Sequence, residues 1–419
     1  MNSQATSIAC VIIGAGQAGL SASYHLKARG IEHVVLEKHK IAHAWRNQRW
    51  DTFCLVTPNW QCRLPDFPYA GNDPDGYMLK DEIIDYLEAF VGSFDPPVIE
   101  SVTVQKVSRR VDGRFDITST AGNWIADEVV IATGGYDTPI IPDYAANLDP
   151  SILQMQTTDY RNPETMPDGA TLIVGTGQSG VQLMEDMRIK GRDVHLAVGP
   201  APRSPRMYRG RDATDWLYEM GHYALTVDNH PLGIDARAKT NHYMTGRDGG
   251  HEIDLRKFAL DGLNLYGSLA GFDGTKAQFL PDLETNLDDA DKSYCGIRDA
   301  IDAYIDKNGI EAPAEPAFQK VWRPETEISE IDLAEKGITS VLWCIGFRPD
   351  YSWIDLDVFD DHGRPVFDRG ICDVPGAYFL GLGWLNTWGS GRFLAVGEDA
   401  DYLASCIAAR RNGAQKMAS

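Results

Sequence analysis

Short apolar runs alternate along the chain with segments of helical period, the pattern of an α/β protein. Ala9-Cys10-Val11-Ile12-Ile13 has no polar interruption and predicts a strand buried on both faces. It ends at Gly14-Ala15-Gly16-Gln17-Ala18-Gly19, and a helical pattern from Leu20 to Arg29 precedes a β-branched run, His33-Val34-Val35-Leu36. The same succession returns 161 residues later. Thr171-Leu172-Ile173-Val174 runs into Gly175-Thr176-Gly177-Gln178-Ser179-Gly180, a helical pattern from Val181 to Lys190, and Val194-His195-Leu196-Ala197-Val198. A further apolar strand, Glu128 to Ala132, runs into Thr133-Gly134-Gly135, and Ser340 to Gly346 is its late counterpart. The expected fold is therefore α/β, with two Rossmann-like dinucleotide-binding domains, the second inserted into the first. The expected limits are 1–165 plus 330–419 for the first and 166–329 for the second. A segment at about 203–290, rich in Arg, Asp, Gly and aromatics, is inserted in turn and has no clear period.

In such a loop the first glycine permits the strand-to-helix turn, the second admits a pyrophosphate to the backbone, and the third lets helix and strand pack closely. The phosphates lie at the helix N-terminus, where N–H groups and the helix dipole favour negative charge. Gly14, Gly16, Gln17, Ala18 and Gly19 form one expected site, and Gly175, Gly177, Gln178, Ser179 and Gly180 the other. Turn glycines in an ordinary sheet are the blander reading, and the duplicated strand–loop–helix context outweighs it. The two copies differ downstream. Glu37 closes the second strand of the first unit, 23 residues past Gly14, with Lys38 next to it. A carboxylate there accepts a hydrogen bond from a ribose 2′-hydroxyl, which suits FAD. After the second loop the equivalent position is Val198-Gly199, without an acid, followed by Arg203, Arg206, Arg209 and Arg211. Guanidinium in place of carboxylate suits a 2′-phosphate, so the second coenzyme is expected to be NADPH, held by Arg203 and Arg206. Hydride transfer from nicotinamide to flavin follows from two such sites in one chain.

Composition narrows the partners. The 419 residues carry a formal net charge of -21, which argues against nucleic acid or an anionic membrane as partner. No apolar stretch reaches the ~20 residues that span a bilayer, and Met1 to Val11 lacks the pattern of a signal peptide. Seven scattered cysteines without a C-x-x-C pair read as reduced thiols of a cytoplasmic protein, with no metal site. Cys54 and Cys62 are spaced unlike a redox pair, so a disulfide reductase is a minor reading.

On these motifs the chain resembles the class B flavin-dependent monooxygenases, which include flavin-containing monooxygenases, N-hydroxylases and the plant YUCCA enzymes. The resemblance rests on the first glycine loop, Glu37-Lys38, Trp45-Arg46, and the segment Leu55-Val56-Thr57-Pro58-Asn59-Trp60-Gln61-Cys62-Arg63-Leu64-Pro65. It rests also on the second loop, of the form G-x-G-x-S-G, and on Cys344-Ile345-Gly346-Phe347. Arg49 to Cys54, Gly246 to Gly250 and Leu385 to Arg392 further resemble bacterial flavoproteins encoded in nitrilase gene clusters. One motif departs from the family. Where it has F-x-G-x-x-x-H before [ST]-x-x-[YF], this chain keeps Thr157 and Tyr160 but has Gln156 for the histidine.

The resemblance implies that NADPH reduces FAD, that O2 adds at the flavin C4a carbon, and that the hydroperoxide oxygenates a small nitrogen-, sulfur- or carbonyl-bearing substrate. An oxidoreductase or oxidase without oxygen insertion, or a flavin redox sensor, are the alternatives. It places Asn59 beside the isoalloxazine, with an amide able to donate to the peroxide, a turn residue being the plainer reading. Trp45 and Arg46 are expected to pack on FAD, and Thr57, Val104, Ala132, Thr133, Gly134 and Ser390 to approach the cofactor. The loop Gly381 to Arg392 precedes an apolar helical pattern and is expected to aim N–H groups at the flavin, with Trp384 and Trp388 as walls. Asp248, His251 and Arg256 are candidates for substrate contact, weighed against ordinary ion pairs. A small-molecule substrate and O2 are the expected partners, and the choice between monomer and homodimer stays open.

Overall fold

The apolar run at residues 9–13 becomes the inner strand Thr6–Ile13 in a computed structural model, which describes residues 5–418. Parallel neighbours flank it, His33–Leu36 on one side and Gly122–Ile131 on the other. Val98–Ile99 extends the sheet beyond the former, and Ala377–Phe379 pairs in parallel with the last residues of the latter. The first half of Gly122–Ile131 instead turns antiparallel, pairing with Phe115–Ser119 and through it with Val104–Arg109 and Ile354–Asp355. Eight strands result, the parallel ones carrying the first glycine loop at their C-terminal ends.

The second sheet has five parallel strands in the order Leu153–Gln156, Ile338–Trp343, Ala170–Val174, Val194–Ala197, Asn264–Tyr266. The α/β class and the two Rossmann-like units thus stand as expected. The limits do not. Leu153–Gln156 and Ile338–Trp343 lie outside 166–329, yet both pair in the second sheet. The physical reason is burial: Val341, Leu342 and Trp343 are sealed between two neighbouring strands, where only a sheet satisfies their backbone. A separate antiparallel sheet, Leu269–Asp273, Lys276–Phe279 and Glu330–Asp332, covers this unit.

The segment at 203–290 folds around charge rather than around apolar period. It carries the hairpin Met207–Tyr208/Arg211–Asp212, the helices Ala213–Glu219 and Leu255–Leu260, and several single 3-10 turns. Arg256 is buried and donates to Asp291 at 2.7 Å and to the Trp322 carbonyl at 2.7 Å. It is an internal brace, so its candidacy for substrate contact does not survive.

The terminal helix Val396–Ala418 closes the first unit. Its buried residues Val396, Ala400, Leu403, Ala404 and Ile407 form a stripe of helical period. Small residues on the facing helix Gln17–Ala28, among them Ala18, Ala22 and Ser23, let the two approach. Glu128, 0% exposed in the sheet beneath, accepts from Arg410 at 2.8 Å and from the Tyr378 hydroxyl at 3.2 Å. Arg410→Met leaves that carboxylate without its cation and is expected to cost about 1–3 kcal/mol of stability. Adding Glu128→Gln should restore most of the lost melting midpoint, measured by calorimetry.

Candidate functional site

The two glycine loops have the same internal geometry. Gly14 and Gly175 sit at φ +100 and +99, and a Cβ on either would lie 2.7 Å from the Ala132 carbonyl oxygen or 2.8 Å from that of Cys344. A Cβ on Gly19 would lie 1.9 Å from the Gly14 oxygen, and one on Gly180 2.0 Å from the Gly175 oxygen. The middle glycines are the opposite case: a Cβ on Gly16 or Gly177 would meet nothing within 4 Å. Both of these cap a helix, at Gln17 and Gln178, without any side-chain hydrogen bond to the first-turn N–H groups. Bare backbone, open space and uncapped N–H donors at a helix start are what a dinucleotide pyrophosphate needs. Each loop fits one.

Glu37 places its carboxylate on the first loop, accepting from Ala15 N–H at 2.7 Å and from His39 N–H at 2.9 Å. Lys38 beside it is exposed. Ala132 N–H donates to the Ile13 carbonyl at 2.9 Å, which brings Thr133 against the loop, and a Cβ on Gly134 beside it would meet nothing within 4 Å. Gln17 reaches across to the Gly391 carbonyl at 3.3 Å, and Ala18 faces Gly381. The C-terminal loop meets the first glycine loop at these two points. Trp384 in it has φ 54, rare for a bulky side chain and typical of strained functional loops. Ser390 lies within the turn rather than at its surface: its hydroxyl accepts from Asn386 and Thr387 N–H at 3.0 and 2.9 Å.

Other expected contacts are placed differently. Trp45 is half-buried and stacks on Phe393 at 6.0 Å, while Arg46 is exposed and paired with Glu88. Arg49 instead lies over Trp45 at 5.4 Å, its charged form disfavoured by burial. Val104 opens an antiparallel strand, two residues past Val102, whose N–H donates to the Glu37 carbonyl at 2.8 Å. Thr57 adjoins Val56, whose carbonyl accepts from Arg206 at 2.7 Å. On the second loop Gln178 clamps Met244 of the inserted segment through both amide atoms, and Ser179 follows it half-buried.

The assignment of Arg203 and Arg206 to a 2′-phosphate is corrected. Both are buried, at 2% and 1% exposure. Arg203 pairs with Asp291 at 3.0 Å and with Asp254 and Glu252 at 3.2 Å, and Arg206 pairs with Asp212. Arg209 and Arg211 are likewise paired, with Asp302 and Glu219. An arginine so enclosed cannot turn to a ligand without leaving buried carboxylates uncompensated.

Asn59 is buried, and its amide braces the following loop: Met78 N–H donates to its oxygen at 2.7 Å and its nitrogen donates to the Asp73 carbonyl at 2.9 Å. One amide N–H remains. Cys54 and Cys62 form no bridge, and burial pushes their thiols up to about 11 and about 12, which leaves almost no thiolate for disulfide chemistry.

The linker is ordered without the family histidine. Tyr160 donates to Asp186 on the helix of the second loop at 2.6 Å, and Thr52 and Arg247 reach the same carboxylate. Adjacent Glu185 accepts from Thr245 at 3.0 Å and pairs with His251. Four segments meet at two neighbouring acids. Sequence reasoning missed this knot, since Glu185 and Asp186 look like the polar face of a helix. His251 is thereby engaged by the Glu185 carboxylate, and Asp248 stands in the adjoining turn.

Two loops of this geometry in one chain fit two dinucleotides, as in an oxidoreductase. Comparison with known proteins agrees. A family model described as pyridine nucleotide-disulphide oxidoreductase matches residues 11–213. An oxidoreductase named CzcO-like from Geobacillus kaustophilus is 31% identical over 95% of this chain and 97% of its own length. The probable indole-3-pyruvate monooxygenase YUCCA3 of Arabidopsis thaliana is 28% identical over 46% of each chain. The structure of a flavin-containing monooxygenase from Stenotrophomonas maltophilia shares the fold, with TM-score 0.66, 21% identity, and coverage of 97% of this chain and 99% of that one. The chain belongs to the family of CzcO-like oxidoreductases. No helix of the described residues is long and apolar enough to cross a membrane.

Gly16→Ala and Gly177→Ala should fold with unchanged melting midpoints yet lose flavin content and NADPH binding respectively. Gly19→Ala and Gly180→Ala should lower the midpoint by about 1–3 kcal/mol equivalent or more, because backbone must shift. Arg206→Met should destabilise the protein but leave the ratio of kcat/KM for NADPH and NADH unchanged, whereas loss of a phosphate ligand would shift it about tenfold.

Proposed function

We propose that the chain is an NADPH-dependent FAD monooxygenase that oxygenates a small nitrogen-, sulfur- or carbonyl-bearing substrate. The observation that carries this reading is the pair of open middle glycines, Gly16 and Gly177, each at an uncapped helix start. Gly14 to Gly19 would cradle the FAD pyrophosphate, with Glu37 accepting from its ribose 2′-hydroxyl. Gly175 to Gly180 would hold the NADPH pyrophosphate. FAD, when bound, accepts a hydride from NADPH and supplies the reduced ring at which O2 is activated.

The protein's own part is to bind, orient and exclude water. The 381–392 loop, which leads into Val396–Ala418, meets Gln17 of the first glycine loop through the Gly391 carbonyl. Asn59 has one amide N–H to offer a reacting oxygen. That most of its amide is engaged elsewhere favours a second reading, an NADPH oxidase that releases H2O2 without inserting oxygen.

Mixing NADPH-reduced holoenzyme with O2 in a stopped-flow cell separates the two. The proposal expects reduced-flavin absorbance to vanish before H2O2 appears, with H2O2 released in a slower phase. Single-phase return to oxidised flavin with simultaneous H2O2 identifies the oxidase. Failure of NADPH to bleach the flavin excludes both.

A further inference from the structure

One face of the second-loop helix, Gln178–Ile189, is polar and yet turned inward. Gln178, Gln182, Glu185 and Asp186 fall at i, i+4, i+7 and i+8, a single stripe along the helix. Gln182, Glu185 and Asp186 are only 5%, 5% and 1% exposed. Their partners lie outside the helix's own sheet. Gln182 Nε2 donates to the Cys54 carbonyl at 3.5 Å, and Glu185 accepts from the Thr245 hydroxyl at 3.0 Å. Asp186 is the most engaged of them. One of its oxygens accepts from the Thr52 hydroxyl and from Arg247, both at 2.5 Å, and the other accepts from the Tyr160 hydroxyl at 2.6 Å. Thr52 stands between Trp45 and Leu55, which pack in the core of the first unit. Tyr160 belongs to the linker and Arg247 to the inserted segment.

Apolar side chains would hold these parts together without fixing an angle, because burial of apolar surface has no direction. Hydrogen bonds to a carboxylate have one. Buried ionic groups add little net stability against apolar replacements, and registry is their better-attested use. The helix that carries the stripe also begins at Gly177, so its direction sets where a dinucleotide held there points. Hydride transfer needs the reacting atoms about 3–3.5 Å apart, and a misplacement of about 1 Å costs up to about a hundredfold in rate.

We propose that Asp186 is a positioning residue for hydride transfer. It holds the second-loop helix at the angle to the first unit that brings the two bound dinucleotides within reach of each other. This rests on the proposed function in taking both dinucleotides as bound and reacting. With both oxygens engaged by other segments, Asp186 acts through the helix and touches neither coenzyme.

The FAD-loaded protein is mixed anaerobically with saturating NADPH, and flavin bleaching is followed in a stopped-flow cell. The Kd for NADP+, the flavin content and the melting midpoint are measured on the same samples. Asp186→Asn should bleach about tenfold more slowly or worse, with the Kd for NADP+ and the flavin content within about twofold of wild type. Tyr160→Phe and Thr52→Val each remove one hydroxyl on a different segment and should slow bleaching in the same direction. NADP+ added to the chemically reduced flavin should give a weaker long-wavelength charge-transfer band in all three variants, a loss that reduced stability alone would not produce. Unchanged bleaching in the variants overturns the proposal. So does a Kd that rises in step with the loss of rate, since the residue then serves coenzyme binding. If Asp186→Asn does not fold, the two hydroxyl variants decide by the same criteria. A wild-type protein that binds NADP+ and FAD yet is not bleached by NADPH overturns the hydride-transfer reading itself, and the wild-type trace tells that failure apart from failure of the joint.

Discussion

Both nucleotide sites depend on one close approach of backbone to backbone. At Gly19 and Gly180 the helix runs so near the oxygen of the loop's first glycine that a methyl group would overlap it. Only that approach lets the helix start at the strand end, with its first N–H groups turned outward over Gly16 or Gly177. The sheet, the helix packing and the direction of the dipole are then no longer independent. A looser contact would leave the same residues present and the anion site unmade.

That local construction matters because the protein as a whole repels its cofactors. On the proposed function a chain of net charge -21 binds two anionic dinucleotides, and long-range attraction cannot help. At physiological salt the unfavourable field of distant charges is screened beyond about 8 Å. Within that range the loops offer backbone donors and helix ends. Arg203 and Arg206, which follow the second loop, are held in the inserted segment, where they neutralise Asp212, Asp254 and Asp291. Their task is to let a charge-rich segment fold onto the second unit.

What could be read from the sequence was what has a period or a required residue. Apolar runs and glycine spacing located both loops, and Glu37 accepts from the Ala15 N–H of the first. Charge without period could not be read in this way. Arg203 and Arg206 follow the right strand, but their partners Asp291, Glu252 and Asp212 are distant in sequence or hidden among many acids. The domain limits failed for a related reason: a strand's sheet is decided by its neighbours, and Ile338–Trp343 reads the same beside either sheet. Gln156 stands where the family has a histidine, while Tyr160, bound to Asp186, ties this stretch to the helix of the second loop.

The first unit is also discontinuous in a way that bears on how the protein is made. Its first strand and glycine loop are the first described residues, but strand Ala377–Phe379, the Gly391 carbonyl that meets Gln17, and the helix from Val396 come last. Arg29 near the start bonds Asp401 at 2.7 Å near the end. During synthesis the second unit has its five strands complete while the first still lacks an edge and a covering helix. The ribosome must therefore release the final helix before the first loop has its full surroundings. The residues that complete the surroundings of the first glycine loop are thus among the last made, while the second loop is complete without them.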